Sequence, residues 1–376
     1  MKQSSKVIDV SLNLVGSIVG AGIFGLPVVI AKTGFIAGSL LFFGVLLLAL
    51  ILHQLFVQVV VNDRAKRRIA GYAGHWVGRW AYWLALFSFF AKCVGALLAY
   101  IILGGEFLSV LAHGVGIYDG LWFWQLLFWA VGSLAVYFGL KTVAGIEDEL
   151  TWVLVGAMIF SAVVLVPFFN WTGLGSWHAG NFWEAFGVMF FAVTAMSVVP
   201  DMVDLTGKKN GTAQEGVFLG TLVAGLLSWA FGLTIALAYP GIQNAKDIAM
   251  AFPPIFWWLI PLIGVLAVAT SYITVTQAVK NLLILDAGQK ERVSWLLAVF
   301  TPLLLFFVTS RNFLATIGFV GGVMTVMMGI MVCLCAWQVM RKYKSRISWL
   351  WRYAPIPVTL MLLVVFLREL LLYVRI

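Results

Sequence analysis

The sequence predicts an all-α membrane protein with eleven transmembrane helices, and three observations carry that expectation. Hydrophobic residues make up 62% of the 376-residue chain and charged residues only 10%, whereas a soluble domain carries roughly 25% charged residues to cover its water-facing surface. Apolar stretches of about 20 residues, each enough for a bilayer core of about 30 Å, recur along the whole length. The basic residues gather in alternate connections between those stretches.

The expected spans lie near residues 8–31, 34–61, 80–109, 121–140, 149–169, 182–206, 216–239, 254–285, 293–310, 313–340 and 354–373. The first apolar segment contains Asn13, Ser17 and a glycine cluster and leads directly into a second span, which is not the pattern of a cleavable signal. No soluble part is expected at either end, so any chemistry is expected in the membrane region or its short loops.

Orientation follows from charge. Most of the 24 basic residues flank one set of loops, among them Lys2 and Lys6, the run Arg64, Lys66, Arg67, Arg68 and Arg79, then Lys141, Lys208 and Lys209, and finally Arg341, Lys342, Lys344, Arg346 and Arg352. Lys32, Lys246, Arg311 and Arg375 fall outside that set. Cytoplasmic loops collect Lys and Arg, which places the N-terminus inside an inner (plasma) membrane and, with an odd number of spans, the C-terminus outside. The same bias accounts for the net charge of +9 without a nucleic-acid partner. The opposite loops hold Tyr118, Trp122, Trp171, Trp177, His178 and Trp183, amphipathic rings that settle at headgroup level. Cys93, Cys333 and Cys335 all lie in apolar segments and read as packing thiols, with no disulfide framework and no metal-ligand spacing.

The segment Gly16-Ser17-Ile18-Val19-Gly20-Ala21-Gly22-Ile23-Phe24-Gly25-Leu26-Pro27 is the most informative in the chain. Each Gly weakens a helix by about 1 kcal/mol relative to Ala, and Pro by about 3 kcal/mol. Unwound backbone at membrane depth is tolerated only where it lines a protein cavity, and the freed N–H groups at the start of the second half-helix then point at an anion. Gly16-xxx-Gly20 also fits a close helix-packing face. Gly20-x-Gly22-x-x-Gly25 matches a dinucleotide-binding pattern, but no strand precedes it and no acid follows about 20 residues on.

The pattern G-x-x-x-G-x-G-I-F-G-L-P resembles the first helix of the amino acid–polyamine–organocation superfamily, closest to its amino acid/auxin permeases and hydroxy and aromatic amino acid permeases. Gly318-Phe319-Val320-Gly321-Gly322 and Ala269-Thr270-Ser271 support that resemblance, as does the basic loop after span two. It implies a leucine-transporter-like fold. Spans 1–5 and 6–10, approximately 8–169 and 182–340, would form a 5+5 inverted repeat within a core of residues 1–340, with broken helices 1 and 6 meeting at the midplane. Residues 341–376 would form a cytoplasmic loop and a peripheral eleventh span. The resemblance also implies that the amides of Ala21, Gly22 and Ile23 receive a substrate carboxylate, and that carbonyls including that of Ile18 face its ammonium.

An inverted repeat requires a matching break in span six. Ala192, Thr194, Ala195 and Ser197 are small there, and Pro200 cannot donate to the helix ladder. By resemblance, carbonyls near Phe191 and Ala192 and the Thr194 hydroxyl would take the ammonium, with Phe191 as a roof. No glycine marks this break. Asp201 and Asp204 read as residues of its solvated cytoplasmic end.

Lys92 is the sharpest isolated signal, about 18 Å along its helix from Trp80. A charge at the bilayer centre costs about 2.5–3.5 kcal/mol on insertion scales, so it should face the interior, either serving substrate and proton in the cavity or donating to carbonyls of a broken helix. Glu106, 14 residues on, is too far along the helix to pair with it. His53, Gln54 and Gln58 read as a polar helix-packing face, while Arg368 and Glu369 near the end of span eleven are expected to snorkel. A sodium ion, as in related symporters, would need carbonyls of Gly16 and Val19 and the hydroxyl of Ser271. Tyr272 replaces a small hydroxyl expected beside Ser271, which favours H+ over Na+ as the coupling ion.

Four histidines, His53, His75, His113 and His178, are scattered over opposite membrane faces, which argues against a membrane enzyme. Neither pore helices nor rings of charge point to a channel, and a non-transporting sensor is the other alternative. The expected protein is a permease with no cofactor, working in a lipid bilayer on a small neutral amino acid, aromatic or branched, held by Ser17, Ile18, Gly20, Ala21, Gly22, Ile23, Phe191, Ala192 and Thr194.

Overall fold

The computed structural model describes residues 2–138, 142–172, 177–285, 288–343 and 349–374. Of the charges used for orientation, Lys141, Lys344, Arg346 and Arg375 lie outside them. The described residues are helical, with no strand among them.

Helix α1 (Lys2–Ile18) ends at the predicted break. Gly20 is extended (φ −139°, ψ −157°), Ala21–Gly25 form a single 3-10 turn, and α2 (Leu26–Thr33) resumes with Pro27 in its first turn, where a missing N–H costs nothing. The chain bends by 50° between the two halves. α3 (Phe35–Val61) returns across the bundle, and the short α4 (Ile69–Trp76) lies in the basic loop before the long α5 (Arg79–Gly114). α6 (Leu121–Tyr137) and α7 (Thr142–Val164) complete the first half.

The second half begins with α8 (Phe182–Val193). It stops at Thr194, whose backbone is extended, and resumes through a 3-10 turn at Met196–Val198 into α9 (Val199–Leu205). α10 (Asn210–Ala238), α11 (Leu259–Leu285) and α12 (Glu291–Val308) follow. α13 (Phe313–Phe319) runs through a π-helical turn at Val320–Thr325 into α14 (Val326–Lys342). α15 (Trp349–Tyr353) and α16 (Pro355–Val374) end the described chain.

By length and hydropathy, eight helices among the described residues can cross a bilayer, and the bent α1–α2 pair makes nine. Shorter apolar helices, Leu121–Tyr137 and Trp152–Val164, stand where the fourth and fifth spans were expected. The expected eleven therefore exceeds the number that length alone supports.

Glycines set the closest helix contacts. A methyl group at Gly216 would lie 2.7 Å from Val10, and one at Gly220 2.8 Å from the Ser11 carbonyl, so α1 rests directly on the backbone of α10. α8 meets α13 and the π-helical turn even more closely: a methyl at Gly187 would run into the Gly318 carbonyl, and one at Gly321 into the Gly187 carbonyl. Small residues of this kind let membrane helices approach where no hydrophobic force separates lipid from protein. This is the physical reason for the Gly318-Phe319-Val320-Gly321-Gly322 motif.

One expectation for the last helix fails. Glu369 does not snorkel: it is 1% exposed, and its carboxylate lies against Gly322 of the π-helical turn. Arg368 instead spreads over the Trp183 ring, 5.7 Å from its centroid. The eleventh predicted span, mostly outward-facing, thus sets one buried acid against the bundle.

Candidate substrate site

The two broken helices meet. A methyl group at Gly22 would stand 2.9 Å from the Ala192 Cα and 3.1 Å from the Phe191 ring, so the first break lies against the second without room for a side chain. Between them is a cavity of about 310 Å³, the size class of a small-molecule site.

At the first break, Val19 N–H donates to the Val15 carbonyl at 2.8 Å and Ile23 N–H to the Gly20 carbonyl at 3.2 Å. Ala21 and Gly22, as the first residues of the 3-10 turn, have no intrahelical acceptor for their amides. Both line the cavity, together with Gly16, Ser17, Ile18 and Gly20. Two predicted residues do not. Ile23 uses its amide within the turn and buries its side chain completely, and Val19 is also packed in the core. A 3-10 turn satisfies its third amide internally, which leaves two free donors rather than three.

At the second break, Phe191, Ala192, Thr194, Ala195, Ser197 and Val198 line the opposite wall. The Thr194 hydroxyl donates to the Phe190 carbonyl at 2.5 Å, satisfying one of the acceptors that the end of α8 leaves open. His53, fully buried on α3, supports the other side: its Nε2 accepts from the Ala195 N–H at 3.1 Å, and its Nδ1 is 2.9 Å from the Thr221 hydroxyl on α10. Gln54 donates to the Gln214 carbonyl at 3.0 Å and Gln58 to Asn210 at 3.3 Å. The three polar residues of α3 are thus a packing face, as expected, and one of them also holds the break.

The remaining walls come from α5 and α11. Phe89, Lys92, Cys93, Ala96 and Tyr100 line the cavity at spacings of three and four residues, which is one face of a helix. Lys92 reaches the cavity and, among the described residues, forms no hydrogen bond or ion pair, so it is not a structural donor to helix-end carbonyls in this conformation. On α11, Ser271, Thr274, Val275 and Ala278 contribute. A methyl group at Gly20 would lie 3.4 Å from the Ser271 hydroxyl, so that hydroxyl stands beside the first break. Tyr272 points the other way: it is fully buried, shares a hydrogen bond with Ser133 at 3.0 Å, and packs on Gly132 of α6.

Arg68 and Asp201, both exposed, line one end of the cavity. That end lies beside the basic loop, where Lys208 donates to the carbonyls of Asp63 (2.6 Å) and Ala65 (3.2 Å) and Lys66 pairs with Asp204 at 3.1 Å. The site thus offers two free amides, several hydroxyls, one amine and three aromatic rings in a partly enclosed space, with a guanidinium and a carboxylate at one end.

A family model described as the tryptophan/tyrosine permease family matches residues 3–373. The chain belongs to that family. Its structure is similar to an inward-facing conformation of Mhp1, with a TM-score of 0.66 and 12% identity over 98% of this chain and 89% of that one. It is also similar to Mhp1, a nucleobase-cation-symport-1 family transporter, in a closed conformation with bromovinylhydantoin bound (TM-score 0.62, 13% identity, 96% and 91% covered). MhsT in complex with L-phenylalanine gives a TM-score of 0.62 at 18% identity over 97% of this chain and 98% of that one. These likenesses establish the leucine-transporter fold. No curated protein matches the chain in sequence. The molecule is a multi-pass integral membrane permease of the secondary-transporter type.

Against this permease frame, sequence reasoning missed Phe89, Ala96, Tyr100, Thr274, Arg68 and Asp201. The first three share a helical face with Lys92, and Thr274 lies one turn from Ser271, so spacing was the available signal. Glu106 lines a different cavity, with Lys246, Asp247, His113 and Trp257, and makes no contact with Lys92, as expected.

Proposed function

We propose that this permease carries a neutral aromatic amino acid by alternating access, coupled to protons. The observation that carries the reading is the pairing of the Ala21 and Gly22 amides with Phe191 and Thr194 across one cavity. A carboxylate fits the amides, aided by the turn's dipole. An ammonium fits the carbonyl-rich end of α8, and an aromatic side chain fits the Phe89, Tyr100 and Phe191 rings. Lys92 adds a positive charge to the carboxylate side or carries a proton. The printed family description and the L-phenylalanine complex of MhsT favour the same substrate class.

In this reading the core, residues 1–340, is a 5+5 inverted repeat of the amino acid–polyamine–organocation type, with eleven spans in a plasma membrane. The N-terminus is cytoplasmic and the C-terminus outside. The cavity opens beside the basic loop, so the conformation is inward-open. A thermal-shift screen of the twenty amino acids tests the substrate: Trp, Tyr or Phe is expected to stabilise the protein, and stabilisation by none of the twenty would refute the reading.

A sodium-coupled symporter is the second reading, favoured by Ser271 standing beside Gly20 with Thr274 one turn away. Uptake that follows a sodium gradient at clamped pH would select it over the proton.

A further inference from the structure

We infer that His53 is the proton site of the transport cycle, and that it carries its proton only when the break in the α8–α9 helix lets go of it. The inference rests on the proposed proton-coupled reading and assigns its proton to His53 rather than to Lys92.

Hydrogen-bond direction fixes the state of the ring. The Thr221 hydroxyl donates its hydrogen to the Val217 carbonyl at 2.8 Å. Its oxygen must therefore accept from His53 Nδ1, 2.9 Å away, and Nδ1 carries the hydrogen. Nε2 accepts from the Ala195 N–H at 3.1 Å, so its lone pair is occupied. Every role around the ring is assigned, and the ring is neutral. A second proton could enter only at Nε2, where it would face the Ala195 N–H as donor against donor. Protonation and the Ala195 contact therefore exclude each other.

Ala195 is part of the cavity wall and lies one residue from Thr194. A proton on His53 thus requires the wall of the substrate site to move, and any state that keeps Ala195 in place expels the proton. The cavity here opens at the Arg68–Asp201 end, and its ring is neutral, as a symporter's would be after release to the inside. Two ligands that bias one bistable element are coupled by necessity.

Charged groups sit on each helix packed against α3. Glu184 on α8, Asp201 and Asp204 on α9, Glu215 on α10, Lys32 on α2, and Arg341 and Lys342 on α14 belong to elements packed against α3, and α14 also brings Cys333 and Cys335. Lys92 on α5 lines the same cavity as Ala195.

The test uses the full-length protein in proteoliposomes, with radiolabelled L-tryptophan, L-tyrosine and L-phenylalanine as probes. His53→Gln places an acceptor near Nε2 but cannot be protonated. It is expected to lower accumulation driven by a pH gradient about tenfold relative to its own counterflow, and to flatten the pH profile of uptake. His53→Leu, which offers Ala195 nothing, is expected to lose counterflow as well. Thr221→Val keeps the histidine and removes the hydroxyl that sets its tautomer, and should shift the pH midpoint of uptake by about one unit. His53→Gln and Thr221→Val with wild-type pH profiles would overturn the inference; if His53→Gln is inactive, the Thr221→Val profile decides. Should wild type exchange no aromatic amino acid, the proposed function fails instead, and the proton site is judged from 15N-histidine NMR. The resonance lost in His53→Gln should show the neutral Nδ1–H form and titrate with acid, whereas an Nε2–H form would refute the assignment.

Discussion

The break after α1 and the break after α8 do the same job by different means. The first is written in its own residues: Gly20, Gly22 and Gly25 weaken the helix, and Pro27 restarts it. The second has no glycine, although Pro200 in the first turn of α9 restarts it as Pro27 restarts α2. It is held open from outside, by His53 reaching from α3 to the Ala195 amide, and capped by the Thr194 hydroxyl turning back to Phe190. A break encoded locally stays broken through a transport cycle. One held by a distant side chain can be released, which makes the second helix the natural place for a switch.

Four substitutions sharpen that contrast, in falling order of effect. Gly22→Ala puts a methyl group 2.9 Å from the Ala192 backbone. Overpacking of this kind costs about 1–3 kcal/mol, so substrate affinity measured by equilibrium binding should fall about 10- to 100-fold. Gly187→Ala drives a methyl group into the Gly318 carbonyl; it should destabilise the bundle by a similar 1–3 kcal/mol, read as a lower unfolding temperature in detergent. Thr194→Val removes the cap of α8 but keeps the shape, and should weaken binding by about 1 kcal/mol, roughly fivefold. Gly20→Ala meets only the Ser271 hydroxyl at 3.4 Å and should change affinity by less than about threefold. If Gly20→Ala and Gly22→Ala prove equally harmful, the glycines act through helix weakening alone and the contact between the two breaks is unimportant.

The same contrast explains what could be read from the sequence. The first break was legible because its cause is local composition. Lys92 was legible because a buried charge is expensive wherever it sits. The second break was only weakly legible, from small residues and Pro200, and the roles of Phe191, Ala192 and Thr194 were placed through family resemblance. The role of His53 was out of reach: its partner Ala195 lies 142 residues away, and only the assembled bundle brings them together. Ile23 was given a free amide because sequence does not tell whether a break resumes as an α or a 3-10 turn, and that choice decides how many amides remain free. Glu369 was read as an end-of-helix residue because its position suggested snorkelling, whereas the absence of a side chain at Gly322 makes room for it inside.

In the proposed binding mode the Ala21 and Gly22 amides hold a carboxylate against the second break. The direct measurement compares L-tryptophan, L-tyrosine and L-phenylalanine with tryptamine, tyramine and phenethylamine, their decarboxylated amines, as ligands of the purified protein. The amino acids are expected to stabilise wild type, the amines to bind at least tenfold more weakly, and Gly22→Ala to erase the difference. Equal binding of an amino acid and its amine to wild type would contradict the account.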